Sequence, residues 1–269
     1  MIDSQKAGQL SDVDLIVGAA LEAGKIALGF FRQSPEVWWK NNGQSPVSAA
    51  DFAANESLAA TLRPARPDYG WLSEETDDDA ERLKHATVFV VDPIDGTRGF
   101  LSGLDLWCVS VAVVTDGRPV AGVLYAPALD ELFVATAGGQ ALKNGKPISV
   151  SKRVGDDIHR LATGEDMLKG FDPDFRKTVE RVKHVPSLAY RLAMVADGRL
   201  EGTIVKRNSH DWDLAAADLI LERAGGALVD LSGNALRYNR AEVSHDELCG
   251  ASASQLPEFL HQLSHRRDG

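Results

Sequence analysis

Cysteine is almost absent: the 269 residues hold only Cys108 and Cys249, far apart, with no CxxC pair and no histidines at zinc-finger spacing. Neither a disulfide framework nor a zinc finger is supported. Long apolar runs are missing as well. No stretch approaches the roughly 18 apolar residues of a membrane span, and Met1 to Leu10 contains no apolar core of a secretory signal. The expected setting is therefore cytoplasmic, with no membrane partner. Positive charge is in deficit, since 29 Lys and Arg against 39 Asp and Glu give a formal net charge of −10. A nucleic-acid grip needs a basic footprint, and none is visible, so no nucleic-acid partner is expected. No internal repeat, low-complexity linker or GxSxG elbow occurs. Gly139 and Gly145 before Lys146-Pro147 enclose five residues and lack the final Ser or Thr of a P-loop, so they read as a hairpin turn. His261 and His265 share helical spacing without the glutamate of HExxH.

What is present suffices for a full core: 44% of residues are hydrophobic and 25% charged. An acidic balance leaves room for carboxylate clusters that hold divalent metal and, through it, an anionic substrate. Ser11 to Arg32 reads as an amphipathic helix opened by a Ser11/Asp14 capping arrangement. A second helix is expected from about Ala49 to Leu62. ATVFVV (86–91) reads as a buried strand. WCVSVAVV, PVAGVLYA and ELFVATA follow as strands, with turn signals at Asp116-Gly117 and Asn144-Gly145. RLAMVA and DLAAADLILERA look helical, the second stopped by Gly225-Gly226. Helices and strands are mixed throughout, which predicts an α/β (mixed α+β) class with layers of both. A seam is expected near Val150 to Asp157, dividing residues 1–150 from 151–269.

The segment Val91-Asp92-Pro93-Ile94-Asp95-Gly96-Thr97 concentrates the chemistry. Pro93 lacks an N–H and is expected to end the ladder just where two carboxylates emerge, with the Ile94 carbonyl between them. Gly96 allows unusual backbone angles and close approach of a ligand, and Thr97 opens a short helix with outward N–H groups. Alone, this is equally an Asp-Gly turn with capping carboxylates. Two further segments add acids: Ser73-Glu74-Glu75 after an apolar strand end, and Asp211-Trp212-Asp213 before an apolar helix. Singly, Glu74 and Glu75 read as the start of a solvated acidic run and Asp213 as a helix cap.

Together, SEE at 73–75, DPIDGT at 92–97 and WDLAAA at 212–217 resemble, in order and spacing, the signatures of the inositol monophosphatase superfamily of magnesium-dependent, typically lithium-sensitive phosphatases. The resemblance runs from about Val13 to Gly250. It implies a layered α-β-α-β-α sandwich of the sugar-phosphatase type, two or three Mg2+ ions per site, and a homodimer. It further implies that Glu74, Asp92 and the Ile94 carbonyl bind one ion, and that Asp92, Asp95 and Asp213 bind a second. Gly96 and Thr97 would hold the phosphate through their N–H groups. Thr97, supported by Asp51 of Ser48-Ala49-Ala50-Asp51, would orient the attacking water with Glu74. SPVSAAD, LSEE and GVLYAP look more like the 3'(2'),5'-bisphosphate nucleotidase branch, where Arg191 and Lys206 would bind a second phosphate. Two departures fall at the substrate rim: no aspartate stands in the loop before Ser45-Pro46, and a GSSLK-type glycine is missing near Pro186-Ser187. Inositol monophosphate, or a related polyol or histidinol phosphate, is the alternative substrate, and a phosphatase-fold regulatory binding protein is the alternative of another class.

Overall fold

The computed structural model describes residues 10–40, 45–152, 159–169, 171–182 and 184–264. Ser11 caps α1 (Asp12–Phe30) by accepting the Asp14 N–H, and the short hairpin β1 (Val37–Lys40) and β2 (Ser45–Ser48) leads into α2 (Ala49–Ala65). A seven-stranded sheet follows, formed by β3 (Gly70–Ser73), β4 (Thr87–Asp95), β5 (Cys108–Thr115), β6 (Arg118–Ala126), β7 (Glu131–Thr136), β8 (Leu142–Lys143) and β9 (Lys146–Pro147), with α3 (Thr97–Leu101) inserted after β4. Only β3 and β4 run parallel in it. The turns at Asp116-Gly117 and Asn144-Gly145 have positive φ at both residues, as the twist of a two-residue hairpin demands.

A second, five-stranded sheet has the order β11 (Val179–Arg181), β10 (His159–Ala162), β12 (Gly202–Val205), β16 (Leu248–Ser252), β14 (Gly226–Asp230). The two-residue strands β13 (Ser209–His210) and β15 (Ser244–His245) pair beside it. Its helices are α4 (Glu165–Leu168), α5 (Pro173–Lys177), α6 (Leu188–Ala196), α7 (Asp211–Arg223) and α8 (Leu256–Ser264). The first sheet lies within residues 70–147 and the second within 159–252; of the expected seam, 153–157 fall outside the described residues.

Strand alternation sorts the side chains into layers. Phe89 and Val91 of β4 join α1 and α2 in one core through Ile16, Leu58 and Leu62, while Val88 and Val90 face the opposite way. That second core is filled by α6 and α7, with Leu192, Leu219 and Ile220, and closed by Leu228 and Leu248 of the second sheet. Beyond it, Ile204 and Cys249 pack against Phe259 and Leu263 of α8. The result is the five-layer α-β-α-β-α sandwich. The alanines of α7 permit a close approach to β6: a Cβ at Gly122 would stand 3.0 Å from the Ala216 backbone. α7 packs across β4, β5 and β6.

Candidate active site

Pro93 does not end the ladder of β4. Asp92 pairs with Ser110 and Asp95 with Cys108, so two residues of β4 oppose one of β5 in a bulge and pairing resumes. The bulge turns both carboxylates toward one cleft, at 1% and 5% exposure for Asp92 and Asp95. The Ile94 N–H donates to Asp92 Oδ1 at 2.9 Å, while Asp92 Oδ2 is buried without a partner among the described residues. Gly96 then adopts φ 95°, and a Cβ there would lie 3.0 to 3.1 Å from Ser187, so both backbone angle and space require glycine.

The Thr97 hydroxyl lies 3.1 Å from both Asp51 Oδ1 and the Ile94 carbonyl. Asp51 is buried rather than on a solvated helix face. Its Oδ2 accepts the Ser48 N–H at 2.8 Å and the Ser48 hydroxyl at 2.6 Å, completing the cap of α2. Burial raises the Asp51 pKa, opposed by these hydrogen bonds.

Asp213 sits at the third position of α7 and accepts the His210 N–H at 2.7 Å, so the helix begins two residues before DLAAADLILERA suggested. The Trp212 carbonyl accepts the Ser110 hydroxyl at 3.1 Å, tying this helix start to β5. Acceptor atoms of Asp92, Asp95 and Asp213 lie within 4.8 Å of one another. Glu74 lines the same cleft, its N–H bonded to the Val91 carbonyl at 3.2 Å. Burial raises Glu74 to about 8, with Lys40 opposing and Asp213 and Glu75 adding to the rise. Burial and then Asp213 raise Asp95 to about 7; burial and then Glu74 raise Asp92 well above the carboxylate range.

An adjoining cavity of about 600 Å³ shares Asp95 and Asp213 with the cleft and is lined further by Arg191 and Lys206. Arg191 Nε is buried with no partner among the described residues, and burial lowers its pKa to about 10, with Asp95 opposing. Lys206 is exposed, and its Nζ donates to Asp166 at 2.7 Å. Both residues expected to bind a second phosphate thus line one cavity, Arg191 with its Nε buried and Lys206 exposed.

Three contacts escaped the sequence reading. Lys40 Nζ stands 2.7 Å from Glu75 and 3.5 Å from Glu74, a pairing across 34 residues with no local signal. Asp95 Oδ2 accepts the Ser187 hydroxyl and, at 2.6 Å, the Ala189 N–H, so the first turn of α6 holds it. Ser187 before an apolar run was readable as a helix cap. Asp211 accepts from the Asn239 N–H and His245 Nε2, both at 2.7 Å, bracing the start of α7.

A layered sandwich that opens a buried acid cluster beside a glycine-cornered turn has the architecture of a metal-dependent phosphoric monoester hydrolase. The chain belongs to the inositol monophosphatase family, whose model matches residues 10–267. It is similar to an inositol monophosphatase of Dictyostelium discoideum, 35% identical over 81% of this chain and 80% of that one. A histidinol-phosphatase of Chlorobaculum parvum is 34% identical over 82% and 86%. Among solved structures, the Thermotoga maritima IMPase superposes with a TM-score of 0.84 at 25% identity, covering 96% of this chain and 99% of that one. The family is metal-dependent, and its members, this chain included, are phosphatases. No helix among the described residues is long and apolar enough to cross a membrane.

Proposed function

We propose that the chain hydrolyses a small phosphate monoester by direct attack of water in a Mg2+-dependent reaction, without a phosphoenzyme. The observation that carries this reading is the convergence of Asp92, Asp95 and Asp213. A divalent cation fits them: one buried Asp92 oxygen has no partner among the described residues, and burial, then like charge from neighbouring acids, holds the carboxylates above their usual range. Glu74, Asp92 and the Ile94 carbonyl would hold one ion, and Asp92, Asp95 and Asp213 a second, with two or three in the active complex. The Ile94 carbonyl keeps a lone pair for this beside its contact with Thr97. When bound, Mg2+ supplies the positive charge that neutralises phosphate and acidifies water.

The protein's own groups do the rest. Asp51 accepts the Thr97 proton, which turns the threonine oxygen's lone pairs toward an incoming water. Glu74, which lines the same cleft, takes the proton that water loses. The Gly96 and Thr97 N–H groups hold the phosphate.

Inositol 1-phosphate or a related polyol phosphate is the first substrate reading, since relatives carry that name and no Phe, Tyr or Trp is among the described residues lining the cavity to stack a base. A 3'(2'),5'-bisphosphate nucleotide is the second, favoured by Arg191 and Lys206 in that cavity and weakened by the Lys206–Asp166 pair. The same cations disfavour cationic histidinol phosphate. Lithium inhibition, a cytoplasmic homodimer and two lobes, 1–150 and 151–269, complete the proposal. A panel of phosphate esters assayed at fixed Mg2+ and in EDTA tests it. Turnover lost in EDTA is expected; turnover of none would favour a regulatory binding protein, and a ratio of kcat/KM for 3'-phosphoadenosine 5'-phosphate over inositol 1-phosphate above one would favour the nucleotide.

A further inference from the structure

Away from the cleft, two arginines stand three residues apart with no carboxylate partner among the described residues. Arg237 Nη2 donates to the Asp116 carbonyl at 2.8 Å, and Arg240 Nη2 to the Ser244 carbonyl at 3.0 Å. Glu242, in the same loop, gives its Oε1 to the Ser244 N–H and hydroxyl instead. Main-chain oxygens thus hold both guanidiniums in place and leave their charge uncompensated. Both line a cavity of about 440 Å³ together with Lys84 and His85, and Asp116 is the one acid among its described lining residues. Lys84 is paired with Glu81 at 2.5 Å, so the arginines carry most of the excess. On a chain of net charge −10, a basic concavity of small-molecule size is where an anion concentrates. The same arginines border a second cavity of about 510 Å³, but there Asp230, Glu242 and Asp246 oppose them.

The 440 Å³ cavity shares no described lining residue with the acid cleft or the cavity beside it. It is nevertheless tied to them through α7. Between the two arginines, the Tyr238 hydroxyl donates to Asp218 Oδ2 at 2.8 Å and the Asn239 N–H to Asp211 Oδ2 at 2.7 Å, both acceptors on α7. Arg82 Nη1 donates to Asn239 Oδ1 at 2.7 Å and fixes this link from the other side. The segment that presents the guanidiniums is therefore the segment that braces the helix carrying Asp213. Two neighbouring donor forks match the oxygens of a diphosphate better than a single carboxylate.

We propose that Arg237 and Arg240, with Lys84, form an effector site for a small phosphorylated molecule bearing two or more negative charges, and that its occupation steadies the start of α7. The site stands independently of the phosphatase reading. Calorimetric titration of the protein in EDTA with inorganic pyrophosphate tests it, because the acid cleft then has no metal with which to hold phosphate. One site is expected, weaker at higher salt. Arg237→Gln and Arg240→Gln should each weaken it about three- to tenfold, the scale of a charge-assisted hydrogen bond reduced by solvent screening. Lysine at either position should restore part of the affinity, and Arg191→Gln should leave it unchanged. No binding, or binding lost in Arg191→Gln and kept when Arg237 and Arg240 are both glutamine, overturns the site. Hexaglutamate bound as tightly as pyrophosphate overturns the phosphate class and points to an acidic peptide. Hydrogen exchange of the amides at 211–218 reads the link to α7. Slowing by pyrophosphate in the wild type but not in the double variant supports it, and exchange unmoved by bound pyrophosphate overturns it.

Discussion

Stripping divalent cations with EDTA leaves Glu74, Asp92 and Asp95 facing one another, and the expected consequence is a stability that falls as pH rises. Burial and neighbouring acids raise Glu74 from 4.5 to about 8 and Asp95 from 3.8 to about 7. Each therefore keeps a proton in the folded state at pH values where the unfolded chain has lost it. Folding then takes up protons, the slope of unfolding free energy with pH is negative, and the stability present below the ordinary carboxylate pKa is lost as pH climbs through the folded values. The window is 3.8 to about 7 for Asp95 and 4.5 to about 8 for Glu74. Inside it each group contributes about 1.4 kcal/mol per pH unit. One to two protons therefore correspond to about 1.4–2.7 kcal/mol, on the order of 3–10 °C in Tm per pH unit for a chain of this size. His210, raised chiefly by its bond to Asp213, acts with the same sign. Binding of Mg2+ must expel these protons, so saturating Mg2+ should flatten the slope, and the rise in Tm that it causes should grow from pH 6 to pH 8. Thermal unfolding at pH 6, 7 and 8, in EDTA and in Mg2+, measures both. A metal-free Tm that is flat or rising over this range, or a Mg2+ increment that does not depend on pH, would refute the reasoning.

Asp92→Asn keeps the shape of the side chain and removes the charge of the proposed bridge, so turnover should fall by orders of magnitude. In EDTA at pH 8 the same variant should melt no lower than wild type, because a buried carboxylate with an unpartnered oxygen has lost its charge; near-normal turnover would sink the two-ion assignment. Thr97→Ala removes a hydroxyl but not the backbone N–H, so kcat should drop far more than substrate affinity does in calorimetry. Weakened affinity with unchanged kcat would make Thr97 a binding residue. Gly96→Ala combines left-handed strain with a Cβ 3.0 Å from Ser187, for a destabilisation of about 2–4 kcal/mol in urea unfolding. A loss under about 1 kcal/mol would show that the turn and the cap of α6 are not in close contact.

Much of the fold was legible because local chemistry and tertiary packing agree. Ser11 caps a helix whose buried face is Leu15, Ile16, Ala19 and Ala23, and Asp116-Gly117 and Asn144-Gly145 adopt the angles their types prefer. The second half was harder to read. Its sheet is built of strands of three to five residues, too short to display a period, and α4 and α5 span four and five residues. Pro93 misled for a physical reason: a missing N–H ends a regular ladder, but a bulge has an unpaired position in which proline costs nothing.

The acid cluster was legible for the reason the substrate was not. Asp92, Asp95, Gly96 and Thr97 share one turn, so their spacing alone fixes their mutual geometry, and Glu74 and Asp213 each sit beside a strand end or helix start that positions them. A long cation such as Lys206 has no such anchor. Its meaning depends on Asp166, 40 residues away, which turns a candidate phosphate donor into one half of a rim pair. Arg191 is the converse case. Its sequence setting resembles any helical arginine, and only the fold buries its Nε, without a partner among the described residues, in a cavity shared with Asp95. Burial of a polar atom is a property of the packed layers, whereas the spacing of a turn is a property of the chain. A reading from sequence therefore reaches the groups proposed to perform the reaction before it reaches those proposed to choose the substrate.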